Sequence, residues 1–413
     1  MLLLFWCLAA YDLPLLAEVP AEPPVKPGID VLRERNFDLL RGKRVGLITN
    51  PTGISYDMTS TIDILYNAPG VQLVALFGPE HGVRGDVEAG KYVEFYNDRA
   101  TGLPVYSLYG KTRKPTPEML KGIDVLVYDI QDIGVRSYTY ISTMGLAMEA
   151  AAEAGIAFVV LDRPDPLTGL IVTGPMLEPK HKSFVGAYPV PYVYGMTAGE
   201  MAEMVNGEGW LNGGRKCSLT VVKMDGWKRS MWWDDTGLEW VPTSPHVPHA
   251  HTTIHYVLTG LLGELGTANQ GVGYTLPFEL IGAPWVKGGE LAAYLNSKNL
   301  SGVVFRPMWY KPFYFDTSGI RYEGVQVHVH DRARLDMTQV QLHILSALLR
   351  VYPNWNIFER AKPERLQMFD KVVGTYDVRR WLAAGMEPDE IVSRLDQARA
   401  PFMIKRERYL LYD

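Results

Sequence analysis

The stretch Val71-Gln-Leu-Val-Ala-Leu76, running into Phe77-Gly-Pro-Glu-His-Gly82, decides the fold. An apolar run this short, closed by a glycine–proline turn, reads as a strand buried on both faces, as parallel strands are. Where the run ends, two glycines and a proline hold Glu80 beside His81. Ligands of open α/β sheets bind outside the carboxyl ends of the strands. Glycine also lets backbone come close to a ligand. Glu80 and His81 are therefore the first candidates for chemistry, and the bland alternative is a tight turn whose charges face water.

The same pattern extends on both sides. Apolar strands are expected over 44–49, 103–109, 124–129, 156–161 and 218–224, with helical segments near 59–66, 115–120 and 138–154 between them. Thr197 opens a further helix, with Glu200 three residues on as a capping box. Short strands alternating with helices predict an α/β domain with a parallel sheet covered on both faces. Beyond about residue 265 the texture changes. Helices over 288–297, 338–351, 377–384 and 387–398, with strands over 302–305 and 325–330, predict a smaller α+β domain. The expected division is a leader and linker over 1–26, an α/β domain over 27–265 and a C-terminal domain over 266–413.

With 47% hydrophobic and 21% charged residues, the 413-residue chain reads as globular and long enough for two or three domains. Its net charge of −5, with mixed signs, gives no basic footprint for nucleic acid. The 10 Trp and 23 Tyr suit either a large core or a sugar-binding surface, and composition does not separate the two. Residues 2–10 are apolar but too few to span a bilayer. They read as the core of a signal peptide that lacks a basic start, with a Pro- and Glu-containing linker over 20–27. A secreted or periplasmic location follows as an expectation. Loss of that leader removes Cys7 and leaves Cys217 alone, without a partner for a disulfide. Trp6 is a poor neighbour for lipoprotein processing at Cys7.

Four polar clusters fall at expected strand ends: Asn50-Pro-Thr-Gly53; Glu80-His81; Asp129-Ile-Gln131-Asp132, running into Arg136, Tyr138 and Tyr140; and Asp162-Arg163-Pro-Asp165. In a parallel sheet these ends share one rim, so the clusters should converge on a cleft with several carboxylates and a guanidinium. Any one of the aspartates has a capping role as its alternative. Paired carboxyls with separated pKa values serve as acid and as base or nucleophile. Glycoside hydrolysis uses such a pair, and arginine can hold an anionic substrate group bidentately. A nucleotide enzyme is the weaker reading, since there is no Gly-x-Gly-x-x-Gly and no Walker loop. Histidines 246, 249, 251 and 255 suggest a metal by number. They lack accompanying carboxylate or cysteine at ligand spacing, so hydrogen bonding at the cleft is expected instead, with no metal and no cofactor. His328 and His330 are expected to share one packed strand face.

These residues resemble the NamZ-type exo-β-N-acetylmuramidases, glycoside hydrolases of bacterial cell-wall recycling. The resemblance rests on Gly46-Leu-Ile-Thr-Asn-Pro-Thr-Gly53, Phe77-Gly-Pro-Glu-His-Gly82, Thr101-Gly-Leu-Pro-Val-Tyr-Ser-Leu-Tyr-Gly110 and the run from Asp129 to Tyr140. It continues through Leu161-Asp-Arg-Pro-Asp-Pro-Leu167, Ser183-Phe-Val-Gly186 and Gly195-Met-Thr197. It implies a Rossmann-like N-terminal domain, a smaller C-terminal domain, a cleft between them, and removal of terminal N-acetylmuramic acid from peptidoglycan fragments. Glu80 falls on the family's favoured catalytic glutamate and is expected to be the general acid. Asp129 or Asp132 would be the second carboxylate, unless the 2-acetamido group of the substrate assists. His81, Asn50, Gln131 and Arg136 would orient hydroxyls or the lactyl group, with Tyr138, Tyr140 and Arg163 beside them. The chain departs from the family at three blocks. Tyr194 stands for a usual His, His246-Val for Asn-Met, and Gln270-Gly-Val272 for Glu-Gly-Arg. Tyr194, His246 and Gln270 are thus expected at the substrate with altered chemistry. The departure at 270–272 motivates the rival reading, an inactive binding protein for cell-wall sugars. The expected partners are peptidoglycan-derived amino sugars, with no nucleic acid and no stable membrane span.

Overall fold

The computed structural model describes residues 24–80, 82–85, 95–314 and 318–413. The leader with Cys7, and His81, lie outside the described residues.

The first domain runs α1 (Gly28–Glu34), β1 (Arg44–Thr49), α2 (Thr61–Asn67), β2 (Gln72–Gly78), β3 (Tyr96–Asn97), β4 (Pro104–Ser107), β5 (Val125–Asp129), α3 (Tyr140–Ala154), β6 (Ala157–Leu161), α4 (Ala198–Gly207) and β7 (Ser218–Val222). The sheet order is β3-β4-β2-β1-β5-β6-β7. All neighbours are parallel except the short β3 against β4. Leaving β3 aside, the order is the 3-2-1-4-5-6 of dinucleotide-binding folds, and it reverses between β1 and β5. Every residue of β5 is buried. Its odd and even side chains feed opposite layers. Val125 and Val127 meet Ile29 and Leu32 of α1 and Ile62 and Leu65 of α2. Leu126 and Tyr128 meet Met144 and Met148 of α3 and Met201 of α4. The two-faced burial is why the strands read as unbroken apolar runs. The expected capping box of α4 is present, with Thr197 and Glu200 satisfying each other's backbone N–H. The expected helix over 115–120 is a series of turns instead.

The second domain follows as α5 (Thr252–Leu265), β8 (Leu280–Ala283), α6 (Gly288–Asn296), β9 (Val303–Tyr310), β10 (Tyr322–Val329), α7 (Met337–Val351), α8 (Pro363–Val373), α9 (Asp377–Ala383) and α10 (Pro388–Arg406). Its sheet is antiparallel, in the order β8-β10-β9. Helix α5 lies within the stretch expected to close the first domain. Its Ile254, Val257, Leu258 and Leu261 nevertheless pack with α6, α7 and the β9–β10 pair. The same core takes in Ile133, Val135, Tyr192 and Val193, so an apolar seam joins the domains. The chain then returns to the first domain, where the Tyr412 hydroxyl donates to Asp162 at 2.6 Å. His328 and His330 stand exposed rather than packed. Among the described residues no helix is long and apolar enough to cross a membrane.

Candidate active site

Strand β2 delivers the candidate acid. It ends at Gly78, where a side chain would press within 3.1 Å of the Gly82 backbone. The chain therefore folds back on itself through the Pro79–Gly82 turn, closed by Gly82 N–H to Pro79 O at 3.1 Å. Glu80 rides half-buried on that turn. It shares a hydrogen bond with the Tyr109 hydroxyl, carried just past the end of the adjacent β4. Burial first, and then the charge of Glu80, push the Tyr109 phenol up to about 12, so it stays a donor to the carboxylate. Tyr140, at the start of α3, lies within the field of Glu80 and is hydrogen-bonded to the Asn50 side chain. Asn50 is itself fixed, its Oδ1 accepting from Thr52 N–H at 3.0 Å and from Thr52 Oγ1 at 2.5 Å.

A wall of tyrosines continues from there. The Tyr140 hydroxyl donates to Thr243 O at 2.5 Å, and the Tyr138 hydroxyl to Thr243 Oγ1 at 2.7 Å. The two rings meet edge to face at 5.0 Å. Tyr138 also bonds Ser244. Two residues on, the His246 ring stacks on Tyr314 of the second domain, at 6.2 Å and 17°. Glu80, Asn50, Tyr138, Tyr140 and His246 are thus strung along one rim. Tyr109, Thr243 and Tyr314 belong there too and were missed. The usable signal for Tyr109 was its position at the end of an expected strand.

The other expected site residues lie deeper. Asp129 is fully buried and held by Arg163, Nε to Oδ1 at 2.5 Å and Nη2 to Oδ2 at 2.9 Å. It also accepts from Thr61 Oγ1 at 2.5 Å. Arg163 gives its remaining reach to Ile54 O. This closed ion pair plugs the switch point between β1 and β5. Gln131 donates to Asp132 O and Pro164 O, while its buried Oε1 has no partner among the described residues. It lines a cavity of about 20 Å³, room for roughly one water. Arg136 donates to the carbonyls of Pro175, Val190, Val372 and Val373, tying the first domain to α8. Neither arginine presents its guanidinium to a substrate: backbone oxygens hold both Nη groups of Arg136, whose Nε is buried without a partner among the described residues, and Asp129 and Ile54 O hold Arg163.

Asp132 differs from Asp129. Its Oδ2 accepts from Gly134 N–H at 2.9 Å and from the Tyr194 hydroxyl, but Oδ1 is buried with no partner among the described residues. Burial raises this carboxyl to about 6. Tyr194, at the position of the family's His, therefore serves as a donor to Asp132. Asp162 is likewise raised to about 6 by burial, beside Thr197, Gly199 and Tyr412. Gln270 sits on the second domain against Gly263 of α5. With Val272 and Arg365 it lines a cavity of about 380 Å³. The remaining histidines serve packing and hydrogen bonds. His249 stacks on His251, and His255 lies between His251 O and Val327 O. Among the described residues no group of three or more His, Cys, Asp or Glu is placed to hold a metal ion.

A carboxyl on the rim of a Rossmann-like domain, walled by phenols and with a second domain beside it, is an arrangement of glycoside-hydrolase type. The chain belongs to the NamZ exo-β-N-acetylmuramidase family: its N-terminal model matches residues 45–251 and its C-terminal model residues 254–412. The chain is 46% identical over 391 residues to the peptidoglycan β-N-acetylmuramidase NamZ of Bacillus subtilis (strain 168), covering 95% of this chain and 92% of that protein. Two solved structures of DUF1343 family proteins from Bacteroides fragilis share the fold. One is 51% identical with a TM-score of 0.89, covering 95% of this chain and all of the other. The second is 32% identical with a TM-score of 0.73, covering 94% of this chain and 99% of the other. The expected α/β architecture with its smaller second domain stands.

Proposed function

We propose that this protein is an exo-acting glycoside hydrolase that removes terminal β-linked N-acetylmuramic acid from peptidoglycan fragments. One observation carries the assignment of roles: Glu80 sits half-buried at the carboxyl end of β2, with the Tyr109 phenol orienting it and Asn50 and Tyr140 beside it. Glu80 is the general acid that protonates the glycosidic oxygen as the bond breaks. Of the two aspartates, Asp132 is favoured for the second role, since its Oδ1 has no partner among the described residues while Asp129 is locked by Arg163. Tyr138 and His246 face the sugar from the far wall, and Asn50 from the near one. The apolar leader directs the protein out of the cytoplasm, to the side on which peptidoglycan fragments are released. Recovery of the full-length gene product from the cell exterior tests that part.

The decisive assay is release of a chromogenic aglycone from β-N-acetylmuramide, beside the matching β-N-acetylglucosaminide, with wild type and Glu80→Gln. Muramide cleavage that falls by two or more orders of magnitude in Glu80→Gln, at unchanged melting temperature, is the expected result. Near-normal turnover in that variant removes Glu80 from the acid role. Sugar binding without product from the wild type would favour the binding-protein reading that Gln270 and Val272 motivate.

A further inference from the structure

An enzyme that removes a chain-end sugar also has to carry the next sugar, on the leaving-group side of the scissile bond. A pyranose ring has an apolar face of C–H groups, and that face packs on an aromatic ring. Phe313 and Tyr314 are adjacent aromatic residues left 64% and 45% exposed. Scattered exposed apolar residues are ordinary, but these two rings are held in place. Phe313 lies on Tyr274, with centroids 5.2 Å apart and planes at 29°. Tyr274 rests on Tyr310 and Tyr310 on Tyr322, at 5.5 Å each, so the column is rooted in the paired strands β9 and β10. The backbone is pinned as well. Phe313 N–H donates to Gly273 O at 2.7 Å, and Ser318 Oγ donates to Phe313 O at 2.8 Å. A ring fixed in advance loses little side-chain entropy when a ligand settles on it.

Contacts lead from this platform to the reacting carboxyl. Tyr314 turns away from the column and stacks on His246 of the first domain, at 6.2 Å and 17°. The segment that carries His246 also carries Thr243, which accepts from the hydroxyls of Tyr138 and Tyr140. Tyr140 is hydrogen-bonded to the Asn50 side chain. Asn50 and Glu80 leave the adjacent strands β1 and β2, whose last pair in register is Ile48 with Phe77. The Phe313–Tyr314 pair thus bridges from the second domain to the rim that holds Glu80, at the mouth between the domains. We propose that Phe313, steadied by Tyr274 and flanked by Tyr314, is the platform for the leaving-group sugar. The neutral hexopyranose next to the terminal residue lays its apolar face on the Phe313 ring while Glu80 protonates the oxygen joining the two sugars. This inference rests on the muramidase reading and deepens it. Trp355 is the contrasting ring. It is 40% exposed, but Trp285 stacks on it at 5.6 Å and the Arg360 guanidinium covers it at 4.0 Å.

The test compares two substrates, methyl β-N-acetylmuramide and the disaccharide of N-acetylmuramic acid β-linked to N-acetylglucosamine. Both lose an alkyl alcohol, and only the second has a ring to lay on Phe313. Released N-acetylmuramic acid is measured by chromatography for wild type, Phe313→Ala, Phe313→Trp and Trp355→Ala. Wild type prefers the disaccharide. In Phe313→Ala the ratio of the two kcat/KM values falls roughly 3- to 10-fold, mainly through the disaccharide's KM, the scale of one ring-stacking contact. Phe313→Trp keeps the ratio, because it keeps an aromatic face, and Trp355→Ala leaves it as in wild type. An unchanged ratio in Phe313→Ala, or an equal fall in Trp355→Ala, overturns the assignment. Calorimetric titration separates this from the hydrolase reading. If the wild type cleaves neither substrate, that reading fails, and the platform is judged by binding alone. Disaccharide binding weakened in Phe313→Ala, relative to binding of free N-acetylmuramic acid, supports it, and unweakened binding refutes it.

Discussion

Asp129 and Asp132 at the end of β5, and Glu80 past the end of β2 with β1 between the two strands, are three carboxylates on one edge of the sheet, and their surroundings give them different work. Asp129 is a buried anion matched by Arg163. Removing one partner of such a pair leaves an uncompensated charge in the interior. Arg163→Met should therefore cost about 3–5 kcal/mol of stability in urea denaturation. The double variant Arg163→Met with Asp129→Leu should recover most of that, which a purely catalytic role for either residue does not predict. Glu80 was legible because a carboxylate between glycines at a strand end advertises itself. The occupation of Arg136 by four carbonyls was not legible, since the partners Val372 and Val373 come from more than two hundred residues away. Nothing local marks such a pairing.

At the scale of elements, α3 shows a local preference overruled by packing. Alanine favours a helix interior over glycine by roughly 1 kcal/mol, and α3 is rich in alanine. Yet a Cβ on Gly145 would fall 1.4 Å from the Tyr188 hydroxyl. Gly145→Ala should thus lower the melting temperature, by a net 1–3 kcal/mol typical of overpacking. Tyr188→Phe in that background should return part of the loss by freeing the space. Thermal melts of the wild type and the two variants read this directly. The capping box of α4 and the strand runs of the first domain were legible because they are local: a side chain answering a backbone three residues away, and apolar runs bounded by turns. Helix α5 was not. Its apolar face matches the second domain's core, and amphipathicity states that a face is buried without stating against what.

For the whole molecule, burial of acids sets a pH dependence. Asp132 and Asp162 are both raised from 3.8 to about 6, chiefly by burial. Between those values the native state keeps protons that the unfolded chain releases. Their stabilising effect is complete below about pH 4 and is lost as pH rises through about 6. Asp165, raised in the same direction, adds to it. Asp57, lowered by hydrogen bonds from Ser55 and Thr59 against the burial that opposes them, works the other way at more acid pH. The melting temperature should therefore decline between about pH 4 and 6.5. Asp162→Asn, whose single amide oxygen can still accept from Gly199 N–H as Oδ1 does, should flatten that decline. A slope unchanged in the variant would mean Asp162 ionises as freely in the fold as outside it.

By itself the sequence determined the parallel sheet, the order of its strands along the chain, and the placing of Glu80 and Asn50 at one rim. Those follow from short apolar runs, turn residues and the polarity of a parallel sheet, all readable within a dozen positions. Which carboxylate is free, which arginine is engaged and where the domains meet were decided only by tertiary structure. Hydrogen-bond satisfaction and burial depend on partners brought together by folding. Asp129 and Asp132, three residues apart, therefore read alike in the chain and differ in the fold, one closed by a guanidinium and the other left with an oxygen unpaired among the described residues.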